Sequence, residues 1–158
     1  MFQKNTTVLD KIHSIEKALN ITIPQEVIDL YIEDSKRTEP RPFFSVPYLI
    51  PLDQLYDYNT HLLESNPNEP VLFEMEDFEQ IWDNTYYEHE ATWDLETLSY
   101  TTDEDPMDKL LNGMLIIYHH GCTFFEAIIL YGKYKDRRCL ICTDYECGAP
   151  ELLERRTK

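Results

Sequence analysis

Three cysteines near the end of the chain are the first candidates for chemistry. Cys139 and Cys142 form a CxxC pair, Cys147 follows, and His119, His120 or Cys122 could complete a tetrahedral zinc site. However, residues 138–144 have the pattern of a strand, in which an odd spacing places Cys139 and Cys142 on opposite faces. We therefore expect these cysteines to be reduced thiols that fill the strand as small hydrophobic residues.

Other catalytic or metal-binding patterns are weaker. His119 and His120 precede Cys122, and a neighbouring imidazole can activate a thiol, but these residues fall at a turn between two apolar runs. Glu74, Glu76 and Asp77 lack the glycine-punctuated alternation of a calcium loop. With only four glycines the chain has no phosphate-cradling loop. We expect no enzymatic activity, no metal and no cofactor.

The most distinctive pattern is the distribution of charge. Residues 42–108 contain 17 acidic residues and no Lys or Arg, for a charge of −17. The rest of the chain carries about +1, so this segment accounts for the formal net charge of −16. Concentrated charge of one sign destabilises a compact fold and attracts a partner of the opposite sign. Nucleic acids and anionic lipids are correspondingly excluded, because their phosphates would be repelled.

The acidic segment also holds 12 of the 20 aromatic residues, a composition unlike that of disordered acidic tails. Tyr and Trp dominate protein interfaces, so we predict a surface that binds a basic protein. The alternative is a solvated acidic face without a partner. The predicted partner-binding residues are Glu74, Glu76, Asp77, Glu79, Trp82, Asp83, Glu88, Trp93, Asp94, Glu96, Asp103, Glu104 and Asp105.

The elements that must position these residues are clearer at the two ends of the chain than in its centre. Helices are predicted over residues 7–19, 24–35 and 53–64, and an edge strand with Pro47 over residues 43–52. Residues 74–82 fit a short helix, whereas residues 86–100 read as mixed loop and strand. Apolar runs at 114–120, 123–131 and 138–144, separated by turns, predict an antiparallel meander.

Helices first and strands last predict an α+β fold, with the N-terminal helices on one face of a mainly antiparallel sheet. A length of 158 residues with 42% hydrophobic composition is typical of one domain, residues 1–158. No segment approaches the roughly 20 apolar residues of a membrane helix. Because Met1–Leu9 lacks a signal-peptide core, we expect a cytoplasmic protein. Its oligomeric state is left open.

Several short motifs occur in a recognisable order. Residues 19–24, LNITIP, join the end of the first predicted helix to the start of the second, and residues 50–55, IPLDQL, join the predicted strand to the third helix. Later come Ile117, Gly121-Cys122, Gly132 and Asp144. This order resembles the SUKH superfamily of yeast cell-wall-assembly regulators and bacterial immunity proteins. Two features depart from the pattern: Asp34–Arg37 replace an Asn-Gly pair, and residues 151–156 offer at most a turn or two of a final helix.

The resemblance implies a SUKH-like domain acting as a non-enzymatic immunity protein, which neutralises a polymorphic toxin. Many such toxins are nucleases, and the basic cleft of a nuclease would complement an acidic surface. Two alternatives remain open: a regulatory protein–protein interaction module, and a DNA mimic that binds several basic proteins through spaced carboxylates.

Overall fold

The computed structural model describes residues 7–40, 47–102, 105–143 and 148–155. The N-terminal part of the chain is helical. Helix α1 spans Val8–Leu19 and begins with a capping box, in which Thr7 Oγ1 accepts from the Asp10 amide at 3.1 Å and Asp10 Oδ2 accepts from the Thr7 amide at 3.0 Å. These bonds lower the pKa of Asp10. Asn20 then ends α1 in the left-handed conformation, at φ 54°.

Helix α2 follows after Pro24 and spans Gln25–Ser35. Its Val27 and Tyr31 are buried, and the Tyr31 hydroxyl donates to the Ile50 carbonyl at 2.8 Å. This bond ties α2 to the chain just after strand β1, Tyr48–Leu49. The ranges of α1 and α2 confirm the predicted ranges of both helices to within one residue.

In the described ranges, the main sheet has five antiparallel strands, with β1 at one edge. The central strands are β4 (Met114–His119), β5 (Phe124–Ile129) and β6 (Arg138–Cys142), and β7 (Glu151–Leu152) lies at the edge opposite β1. The core contains Leu115, Ile117, Ile128 and Ile141, which are fully buried. The α+β class, the antiparallel meander and the edge position of β1 are confirmed. A strand over 151–152 was not predicted.

Short elements cover the middle of the chain. They are α3 (Leu55–Tyr58), two 3₁₀ turns (Thr60–Glu64 and Leu72–Glu74), α4 (Phe78–Glu90), a hairpin of β2 (Trp93–Asp94) and β3 (Ser99–Tyr100), and α5 (Met107–Leu110). The prediction of one helix over 53–64 is only partly right, because Asn59 interrupts it. The prediction of loop and strand from residue 86 is wrong as far as Glu90, where α4 ends.

Side chains complete the edge of β4 where β1 stops. Asn59 is fully buried, and its Oδ1 accepts from the Ile116 amide at 2.7 Å while its Nδ2 donates to the Ile116 and Leu55 carbonyls, each at 2.9 Å. Two residues nearer the start of β4, the Met114 carbonyl lies 2.7 Å from His61 Nε2. The two side chains thus continue the hydrogen bonding that a longer β1 would have supplied.

The helices of the described residues include none that is long and apolar enough to span a membrane.

Candidate functional site: the α4–hairpin surface

Helix α4 has one buried side and one acidic side. Trp82 is 4% exposed within the core, against which Phe78 and Ile81 also pack. Glu79, Asp83 and Tyr87 follow at intervals of four residues on the other side, and all three are exposed. The burial of Trp82 removes it from the predicted partner-binding residues, because its ring stabilises the fold and a partner cannot reach it.

The hairpin that follows α4 is fixed to the end of the helix by aromatic contacts. The Tyr100 ring stacks on His89 with 4.4 Å between the centroids, and Trp93 contacts Tyr100 edge-on at 4.8 Å. The Tyr100 hydroxyl donates to Glu90 Oε1 at 3.3 Å. Desolvation, followed by the Glu90 charge, raises the pKa of Tyr100. These contacts hold β2 and β3 against α4, although neither strand joins the main sheet.

We call α4, the hairpin and its loop, residues 78–100, the α4–hairpin surface. Eight large hydrophobic side chains are exposed in the described part of the chain, and five of them lie on this surface. Their exposed fractions are 55% for Tyr87, 40% for Trp93, 79% for Leu95, 71% for Leu98 and 39% for Tyr100. Exposed apolar groups clustered in this way, with polar residues around them, are typical of protein-interaction sites.

Among the described residues, the acids of residues 74–108 form no ion pair with a Lys or Arg. The ring of His89 lies close to one of these acids, with Nδ1 3.7 Å from Asp105 Oδ1. Elsewhere in the molecule, buried Glu126 accepts from Arg138 Nη1 at 3.0 Å. The α4–hairpin surface therefore presents uncompensated negative charge.

A cleft of about 620 Å³ beside the end of α4 gathers further carboxylates. Glu64, Glu88, Asp105 and Asp108 line it together with Lys109. Burial, followed by the charges of Asp105 and Glu64, raises the pKa of Asp108. Burial is the larger cause of this shift, and the two neighbouring carboxylates add to it.

Two of the cleft residues, Glu64 and Asp108, were missing from the predicted partner-binding residues. Both belong to the acidic segment that has no Lys or Arg, so the signal was present in the sequence. What the sequence could not supply was the packing of α5 against α4, which carries Asp108 to the cleft.

The other predicted partner-binding residues fall into four groups. Glu74 is committed to the fold, since its carboxylate accepts from the Val71 amide at 3.0 Å and the Lys133 amide at 3.1 Å. Asp94 shapes the hairpin loop. Asp103 and Glu104 lie outside the described residues. The remaining residues are exposed on or beside the α4–hairpin surface: Glu76, Asp77, Glu79, Asp83, Glu88, Trp93, Glu96 and Asp105.

The cysteines are arranged differently from a zinc site. Cys139 is buried, and its desolvation raises the pKa of the thiol to about 12. Cys142 points to the other face of β6 and is disulfide-bonded, so the prediction of reduced thiols is wrong for this residue. Cys147 lies outside the described residues. Within the described ranges, no three His, Cys, Asp or Glu side chains are grouped so that they could hold a metal ion.

Comparisons of this chain with protein-family models, with curated proteins and with solved structures found no match.

Proposed function

We propose that this chain is a non-enzymatic immunity protein that binds and neutralises a cognate basic toxin, of the nuclease type, through the α4–hairpin surface. The observation that carries the proposal is the coincidence, on one helix and one hairpin, of exposed aromatic and aliphatic side chains with carboxylates that form no ion pair with a Lys or Arg of the described residues. The SUKH-like arrangement, with the N-terminal helices on one face of the sheet, forms part of the same proposal, as does a cytoplasmic location.

The physical case rests on the unfavourable energy of such a surface in the isolated protein. Glu79 and Asp83 lie one helical turn apart, where like charges repel, and exposed apolar area is left in contact with water. A basic partner would relieve both costs at once. The carboxylates would also steer its approach and raise the association rate, while the buried apolar groups would slow dissociation.

The two alternatives predict different surfaces. A DNA mimic needs only carboxylates spaced like phosphates, so the exposed Leu95, Leu98 and Trp93 would have no role in it. A regulatory interaction module would use the same apolar groups with a partner that is not a toxin. The geometry therefore favours a specific protein interface over general mimicry, and the identity of the partner separates immunity from regulation.

The test is calorimetry between this protein and the toxin domain encoded beside its gene, at low and high salt. We expect tight one-to-one binding that weakens with salt, together with loss of toxin activity. The variant E76K/D77K/D83K should weaken binding by roughly 100-fold at low salt, because three attractive charges become repulsive.

A matched control carries the same charge change on α2 and the segment after it, D29K/E33K/E39K. Since it alters the net charge equally, it should weaken binding far less if the contact is local. Equal losses in the two variants, unchanged affinity in the first, or no binding by the neighbouring toxin would each refute the proposed function.

A further inference from the structure

The tip of the hairpin carries the two most exposed hydrophobic side chains of the described residues. Leu95 is 79% exposed and Leu98 is 71% exposed, at the two ends of the four-residue loop between β2 and β3. We infer that this loop is a preformed apolar anchor, which enters an apolar recess bordered by basic residues on the partner. This inference rests on the proposed function and specifies how the α4–hairpin surface recognises its partner.

The loop is held in one conformation by its own hydrogen bonds. Asp94 Oδ1 accepts from the Glu96 amide at 2.8 Å and from the Thr97 amide at 3.4 Å, and Thr97 Oγ1 lies 2.9 Å from Ser99 Oγ. Below the loop, Trp93 pairs with Tyr100 across the hairpin. A loop that is already ordered loses little entropy when it binds, so the area of both leucines contributes to affinity with a small ordering cost.

The backbone at Leu98 gives a second reason to assign the loop a binding role. Leu98 has φ of 53°, in the left-handed region that Gly and Asn adopt readily and leucine does not. The side chain points to water, so no packing within the fold requires a leucine there. Strained backbone positions cluster at functional sites, and here the strain directs an apolar side chain outward.

The charges around the loop specify the occupant. Asp94 precedes the loop and Glu96 lies within it, while Glu90 contacts the base of the hairpin through the Tyr100 hydroxyl. The surrounding segment has no Lys or Arg. A second copy of this chain would bring the same negative charges into contact and be repelled. A basic surface with an apolar recess satisfies both the carboxylates and the leucines, whereas a purely basic surface would leave the leucines in water.

Fluorescence anisotropy with two labelled peptides of equal length and charge tests this inference. One peptide is an amphipathic helix of lysine and leucine, and the other contains lysine and serine. We expect the native protein to bind the first roughly tenfold more tightly than the second, and the variant L95N/L98N to lose this preference. The control variant L9N, with an exposed leucine removed from α1, should keep it.

Thermal unfolding adds a readout that a purely structural loop would not give. Because Asn tolerates the left-handed conformation, L98N should unfold at a slightly higher temperature than the native protein while it binds the lysine–leucine peptide more weakly. Greater stability of L98N together with weaker binding is the result expected if the strained backbone of Leu98 serves partner recognition.

Three results would overturn the inference. They are equal affinity for the two peptides, an unchanged preference in L95N/L98N, or no binding of either peptide. The calorimetry with the neighbouring toxin decides the proposed function separately: if the toxin binds but the preference for the lysine–leucine peptide is absent, the surface acts through charge alone.

Discussion

The edge of β4 and the α4–hairpin surface arrange polar and apolar groups in opposite ways. At the β4 edge, polar atoms are buried and paired, as Asn59 shows with its three hydrogen bonds to backbone groups. On the α4–hairpin surface, apolar side chains face water, and in the described part of the chain no Lys or Arg forms an ion pair with the carboxylates. The fold is thus stabilised in one region, while the other keeps features that stabilise nothing in the isolated protein.

This difference indicates that stability and binding are separable by mutation. A well-packed sheet with satisfied polar groups can tolerate repulsion and strain at the surface, because net stability is a small difference between large terms. Substitutions at the β4 edge and in the core should therefore change the free energy of unfolding. Substitutions of exposed residues on the α4–hairpin surface should instead change affinity.

The two tryptophans provide the largest expected contrast. Trp82 is buried, so W82A leaves a large cavity and should lower the free energy of unfolding by about 3–5 kcal/mol. Trp93 is 40% exposed, and W93A should cost less than about 1 kcal/mol while it weakens partner binding. Urea unfolding of both variants checks this, and similar losses of stability would show that the hairpin belongs to the core.

A matched pair of asparagines sharpens the comparison. N59A removes the side-chain partner of the Ile116 amide and of two buried carbonyls and should cost about 3 kcal/mol. Asn84 lies exposed on α4, where its side chain accepts from Gln80 Nε2 at 2.8 Å, so N84A should change stability by no more than about 0.5 kcal/mol. If urea unfolding gave N59A the same small effect, the β4 edge would not be the stabilising region that its hydrogen bonds indicate.

Local signals made the ends of the chain predictable. Thr7 caps α1 and apolar residues recur at helical spacing, so the structure agrees with the prediction to within one residue. Strands β4 to β6 are apolar runs separated by glycine-containing turns, and both glycines involved, Gly121 and Gly132, have positive φ. Each of these signals lies within the element that it predicts, which is why sequence patterns were enough.

The centre was harder because its determinants are distant in sequence. The second half of α4 contains Thr85, Tyr86 and Tyr87, which are poor helix formers, and tertiary packing overrides their propensity. The bond from Asn59 to Ile116 joins residues 57 positions apart, so no local pattern could indicate it. Charge composition indicated the acidic segment, but it could not distinguish buried Trp82 from exposed Trp93.

His61 lies between the β4 edge and the acidic cleft, and it gives the smallest expected effect. Its Nε2 lies 2.7 Å from the Met114 carbonyl at the β4 edge, and since a carbonyl only accepts, this nitrogen carries the proton. The same ring lines the acidic cleft. Burial lowers the pKa of His61 below its ordinary 6.5, against the opposing effect of the Met114 bond. The folded protein therefore takes up a second proton on the His61 ring at lower pH than the unfolded chain does.

The sign of the pH dependence follows from that difference. Above pH 6.5 the stabilisation associated with neutral His61 is fully present, and it is lost as the pH falls through the lower pKa of the folded state. H61Q keeps an N–H donor for the Met114 carbonyl but cannot be protonated. Urea unfolding over a pH series should therefore give H61Q a smaller loss of stability below pH 6.5 than the native protein. If H61Q followed the native profile, burial at the β4 edge would not control this histidine, and the acidic cleft would be the stronger influence on it.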